Sequence, residues 1–113
     1  MQFSIRSNHT PPVVRLTLDG ELDIFTAGQV SRAVSQALWS GCRRAQLDAT
    51  GVTFVDASAL GVLVRARDLV RSCAGSLEVV AFSPVFLRLC VLTELVSLLT
   101  MPQADDRELE GAS

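Results

Sequence analysis

From residue 13 onward the chain alternates: Val14, Leu16 and Leu18 fall on one side, Arg15, Thr17 and Asp19 on the other. A period of two is that of a strand with one face in a core and the other in water. FSIR (residues 3–6) repeats the alternation over a shorter stretch and predicts an edge strand. NHTPP, between the two, predicts a turn, because prolines cannot continue a central strand. RAQLDA (44–49) and SLEVVAF (76–82) supply two further strands, and SLLT (97–100) a short last one.

Between these strands the period lengthens. Val30, Ala33, Val34, Ala37 and Leu38 follow a helical stripe, with Gly41 suited to the helix exit. Thr26 and Gln29 have capping-box spacing, and Phe25 and Val30 stand where a hydrophobic staple packs. TGVTFVD leads from the second long strand into a helix that begins near Ser58, runs to Ser72 or Cys73 and has Gly75 as terminator. Its inner face is Val62, Leu63, Ala66 and Val70, while Arg65, Arg67, Asp68 and Arg71 form a solvated one. Ser83 and Pro84 read as an N-cap and first helical residue of a third, very apolar helix reaching about Leu92. After Pro102 the polar stretch 103–113 is expected as a frayed tail or a short helix. The order β-β-α-β-α-β-α implies an α/β fold: one domain over residues 1–113, with a mixed sheet and helical crossovers between parallel strands.

Composition narrows the function. The chain has 113 residues, 49% hydrophobic and 19% charged, with a formal net charge of −2. This is the composition of a globular domain, and it offers nucleic acid no basic surface beyond the pair Arg43 and Arg44. All ten basic residues are arginine, which reads as codon bias in preference to any functional demand. MQFSIRSNHT does not read as a signal peptide, and no apolar run approaches the roughly 20 residues a membrane span needs. Direct membrane insertion is therefore not expected. Cys42, Cys73 and Cys90 are odd in number and widely spaced, which fits buried free thiols and a cytoplasmic location.

The candidate chemistry is sparse. Ser58 and Asp56 invite comparison with a hydrolase, but a serine nucleophile needs a base, and the single histidine is His9, in the turn region. Ser58 sits in D-A-S-A with no G-x-S-x-G elbow. Neither a metal-ligand cluster nor a phosphate-binding G-x-x-x-x-G-K-[ST] loop occurs, so no enzyme activity, metal or cofactor is expected. Taken singly, Ser58 reads as a helix cap, and Asp23 and Asp56 as residues of the turns that follow strands.

Together these residues form a larger pattern. LDATGVTFVDASALGVLV resembles the signature of the STAS family, specifically the bacterial anti-sigma factor antagonists, with Leu47, Asp48, Gly51, Val52, Phe54, Asp56, Ser58, Leu60 and Gly61 in register. GELDIFTAGQV upstream and FSPVFLRLCVLTEL downstream extend the resemblance over nearly the whole chain. It implies a small mixed sheet of four or five strands with helices mainly on one face. It also implies a protein that binds an anti-sigma factor of the serine-kinase type and so releases a sigma factor. The resemblance further implies that phosphorylation of the matching serine, Ser58, disables binding and that a serine phosphatase restores it. It puts Asp23 on the same partner-binding surface as Asp56 and Ser58, with Ala57, Ala59 and Leu60 beside the serine in its motif. Ile24 and Phe25, apolar and next to Asp23, are expected to touch the partner unless Phe25 only staples its helix, and a monomer is the simplest expectation. Other roles within the family stay open: a stress-signalling assembly, a transporter accessory subunit, or a small-ligand or nucleotide-binding module. Ala57 replaces the first serine of the motif, Ala59 the glycine after the modified serine, and Glu94 a glycine in the turn after the third helix.

Overall fold

The computed structural model of the protein describes residues 2–100. The expected tail over 103–113 lies outside the described residues. Four strands, β1 (Ser4–Thr10), β2 (Val13–Leu22), β3 (Arg44–Val55) and β4 (Ser76–Phe82), form one sheet in the order β1-β2-β3-β4. β1 runs antiparallel to β2, and β2, β3 and β4 are parallel. Parallel neighbours need crossovers, and α1 (Ile24–Trp39) and α2 (Ala57–Ser72) provide them; α3 (Pro84–Leu92) follows β4.

Alternation decides which face is covered. Val14, Leu16 and Leu18 of β2, Ala45, Leu47 and Ala49 of β3, and Leu77 and Val79 of β4 are all buried. Their neighbours Arg15, Thr17, Gln46, Asp48 and Glu78 keep contact with solvent on the opposite face, where the Arg15 guanidinium lies 3.5 Å from Asp48. The core is therefore one-sided. Ala27, Val30, Val34 and Ala37 of α1 meet it together with Leu60, Leu63, Ala66 and Val70 of α2, and Phe86 and Cys90 enter from α3.

The structure extends or corrects several expectations. β1 continues to Thr10, so the turn is confined to the two prolines. β3 does not stop at Ala49 but runs through TGVTFV to Val55. Its buried positions change phase there, from Ala45, Leu47 and Ala49 to Val52 and Val55, because the pairing with β2 slips at bulges. A Cβ at Gly51 would collide with the Asp19 carboxylate and come within 3.0 Å of the Leu18 carbonyl, so glycine lets the two strands close at that slip. SLLT is not a strand: Val96–Leu98 form a 3-10 turn, and only Leu99 bridges to Val79. Arg67 is not on a solvated face; it is buried and donates from Nη1 to Ser97 Oγ at 3.0 Å, fastening that turn to α2. Of the three thiols, Cys42 and Cys90 are buried, whereas Cys73 is exposed. Burial pushes the Cys90 thiol up to about 11, so it stays protonated at neutral pH.

α1, α2 and α3 leave through the same hydrogen-bond pattern. Cys42 N–H bonds to Ala37 O, Gly75 N–H to Val70 O and Leu95 N–H to Cys90 O, at 2.9, 2.9 and 2.8 Å. Each is the long bond of a Schellman motif, whose left-handed residue is Gly41, Ala74 or Glu94. Gly75 follows the left-handed position of α2 rather than filling it.

Candidate functional site

Two helix starts stand side by side at one edge of the sheet. β2 and β3 are parallel and register-paired at Leu22 and Val55, so the residue after each strand opens a helix at the same level. Asp23 is the N-cap of α1 and Asp56 the N-cap of α2, and Asp56 N–H donates to Leu22 O at 3.3 Å. Neighbouring strands are about 4.8 Å apart, which makes the two carboxylates residents of one small surface.

The caps are built differently. Asp23 Oδ1 accepts from the backbone N–H of Phe25 and of Thr26, both at 2.9 Å, and Thr26 Oγ1 accepts from Asp23 N–H at 2.8 Å. The capping box is therefore Asp23 with Thr26, not Thr26 with Gln29. The bond from Thr26 N–H, reinforced by its hydroxyl and by Phe25 N–H, holds the Asp23 carboxyl below its usual value of 3.8. Asp56 Oδ1 accepts one backbone bond, from Ala59 N–H at 2.9 Å, and a second from the Ser58 hydroxyl at 2.7 Å. Ser58 is thus not the cap of its helix. It is the second helical residue, exposed, with its hydroxyl tied to the cap.

The other expected site residues divide. Ala57 is exposed beside Ser58. Ile24 and Phe25 open α1 with 48% and 78% of their surface accessible, and Phe25 does not staple the helix, since Val30 is wholly buried. Ala59 and Leu60 are fully buried, so their side chains support the site from beneath and do not face a partner. Sequence reasoning omitted Phe54, which is 47% accessible on the last turn of pleat before Asp56. No local signal marked it: Thr53 and Phe54 are both exposed between buried Val52 and Val55, where strict alternation would have placed Phe54 on the same face as Val52.

The surface is an acidic, hydroxyl-bearing edge rimmed by Ile24, Phe25 and Phe54. His9 pairs with Val14 near the other end of β2, eight residues before Leu22, or roughly 26 Å along the strand. It is out of reach of Ser58, whose nearest acid–base partner is Asp56. A cleft of about 390 Å³ lies between the far ends of α1 and α2, lined by Ser35, Leu38, Trp39, Arg43, Leu69 and Cys73; Ser58 is not part of it. Among the described residues no group of three His, Cys, Asp or Glu side chains gathers as a metal site, and no helix is long and apolar enough to cross a membrane.

The family model described as "Mlab, STAS domain" matches residues 5–100. The fold is also similar to the solved structure of the anti-sigma factor antagonist SpoIIAA in its unphosphorylated form. There the TM-score is 0.74 at 19% identity, covering 96% of this chain and 97% of that one. The Bacillus cell fate determinant SpoIIAA in the phosphorylated form gives 0.67 at 21% identity, covering 92% and 98%. An anti-sigma factor antagonist from Mycobacterium paratuberculosis gives 0.74 at 20% identity, covering 99% and 96%.

Proposed function

The chain belongs to the STAS domain family, and on that premise we propose that it is an anti-sigma factor antagonist switched at Ser58. The observation that carries this reading is the Ser58 hydroxyl: exposed, on the first turn of α2, and hydrogen-bonded to a carboxylate in a surface otherwise rimmed by apolar side chains. A partner with an apolar contact face can take Ile24, Phe25 and Phe54, while Asp23 and Asp56 offer acceptors to its donors. The partner proposed is an anti-sigma factor of the serine-kinase type, bound one-to-one by a monomer in the cytoplasm. A serine phosphatase resets the switch.

Magnitudes support a switch made by charge. A phosphoryl group adds about −1.5 to −2 charges at pH 7. Two unit charges about 6 Å apart at an effective dielectric near 20 interact by roughly 3 kcal/mol before screening. A hundredfold loss of affinity corresponds to about 2.7 kcal/mol. One phosphate against acidic groups of the partner, or stripped of water in the interface, is sufficient. Similarity to a protein solved in both phosphorylated and unphosphorylated forms supports the same reading.

The test is a parallel capture from native lysate with wild type, Ser58→Ala and Ser58→Asp. The proposal expects an ATP-binding anti-sigma factor on the first two baits and its loss from the third. Equal retention on all three would remove Ser58 from the switch. A second reading is favoured by the matching family model, whose description is of Mlab. In that reading the same edge docks into another assembly, such as a stress-signalling complex or a transporter; co-purification with a transporter ATPase, without any anti-sigma factor, would select it.

A further inference from the structure

Resting on the reading of Ser58 as the modified residue, we propose that Asp56 couples the state of Ser58 to the first turn of α2. One carboxylate oxygen holds both the serine hydroxyl and the helix, so a charge at Ser58 strips the helix of its cap. The contrast with the neighbouring helix carries the argument. The start of α1 is closed by several bonds: Phe25 N–H and Thr26 N–H both reach Asp23 Oδ1, Asp23 N–H returns a bond to Thr26 Oγ1, and the single proton of the Thr26 hydroxyl has Glu21 O at 3.0 Å and Asp23 Oδ1 at 3.2 Å as acceptors. The start of α2 has no return bond, because Ala59 stands where Thr26 stands in α1 and has no side-chain acceptor. Its cap rests on Ala59 N–H and on Ser58 Oγ–H alone, both directed at Asp56 Oδ1. The adjoining backbone bonds, Asp56 N–H to Leu22 O and Leu60 N–H to Asp56 O, are long at 3.3 Å each. The chain thus sets a redundantly fixed helix start beside a sparsely fixed one, and the serine is on the second.

Phosphoryl transfer from a nucleoside triphosphate forms the Ser58 Oγ–P bond, breaks the bond from the terminal phosphorus to its bridging oxygen, and releases the nucleoside diphosphate and the hydroxyl proton. The donor of the 2.7 Å bond is thereby consumed. In its place stands a dianion against a carboxylate that had been drawn in by attraction. Asp56 turns away, and Ala59 N–H loses its acceptor and is left to solvent. Ala59 and Leu60 are fully buried under this turn, so the change is passed to the surface that Ser58 and Ala57 present. Asp56 is a positioning residue in this scheme: it sets the hydroxyl before transfer and registers the charge after it.

The experiment is amide hydrogen exchange at Ala59 and Leu60, each corrected for the intrinsic rate of its sequence, in wild type, Ser58→Asp, Asp56→Asn and the double variant. Asparagine caps about as well as aspartate and carries no charge. Ser58→Asp is expected to lower Ala59 protection roughly fivefold with Asp56 present, the size of one lost cap. With Asp56→Asn the same change is expected to stay within about twofold, as is Ser58→Ala in the wild-type background. No effect of Ser58→Asp, or an equal effect in both backgrounds, overturns the coupling. Ser58→Glu repeats the cycle should Ser58→Asp fail to fold. No kinase or partner enters the measurement, so it fails or succeeds independently of the partner reading.

Discussion

Ala74 and Glu94 occupy, in α2 and α3, the place that Gly41 occupies in α1, with φ of 61° and 58° against 95°. A side chain in the left-handed region costs on the order of 1 kcal/mol or more, which glycine avoids. Ala74→Gly and Glu94→Gly are each expected to raise stability by about 1 kcal/mol, read as a higher urea midpoint at unchanged slope. Gly61 behaves oppositely. It lies inside α2, where an added Cβ would meet only the Arg65 guanidinium at 3.7 Å, an ordinary contact. Gly61→Ala is expected to stabilise by about 0.5–1 kcal/mol in the same assay. At this scale the sequence was only partly legible. Glu94 in a glycine place was visible, but Ala74 was not, because Gly75 beside it offered the more obvious terminator. Thr26 with Gln29 was an equally plausible box from spacing alone; Asp23 wins because it stands at the strand's end with Thr26 three residues on.

Among elements, the caps and the open face of the sheet govern how stability responds to acid. Asp48 is held below its usual 3.8 chiefly by the Thr50 hydroxyl, against an opposing effect of burial, with help from Thr50 N–H and the Arg15 charge. Asp23 is lowered by its capping bonds. Folded values below the unfolded one mean that the stabilisation is complete above about 3.8 and is lost as pH falls through the lower folded values. Stability is therefore expected to be insensitive to these groups from neutrality to about pH 5 and to decline below about pH 4. Asp48→Asn is expected to flatten that decline in acid titrations followed by circular dichroism. Asp56→Ala is expected to cost about 1 kcal/mol, the worth of a typical N-cap. Asp23→Ala is expected to lower the urea midpoint further, since it orphans more donors. Element types and order followed from periodicity, and α3 was bounded correctly by Ser83, Pro84 and Leu92. The second half of β3 was missed because a bulge breaks the period on which strand recognition depends.

In the whole molecule, one-sided packing separates structure from function. Helices and core occupy one face of the sheet, and both N-cap carboxylates, Asp23 and Asp56, emerge at the edge where parallel strands hand over to α1 and α2. Phe86, the largest wholly buried side chain, fastens α3 to that core far along the chain from Ser58. Phe86→Ala is expected to cost about 3–5 kcal/mol without altering the charge logic at Ser58. The motif around Ser58 was legible because its residues are contiguous, whereas the burial of Ala59, Leu60 and Arg67 depends on packing that no local pattern encodes. The central claim is that charge at Ser58 decides partner binding. The most direct measurement is calorimetric titration of the captured anti-sigma factor with unmodified protein and with protein phosphorylated on Ser58, the site verified by fragmentation mass spectrometry. The account predicts one-to-one binding that weakens at least about a hundredfold on phosphorylation. Equal affinity of the two forms, or modification at a residue other than Ser58, would contradict it.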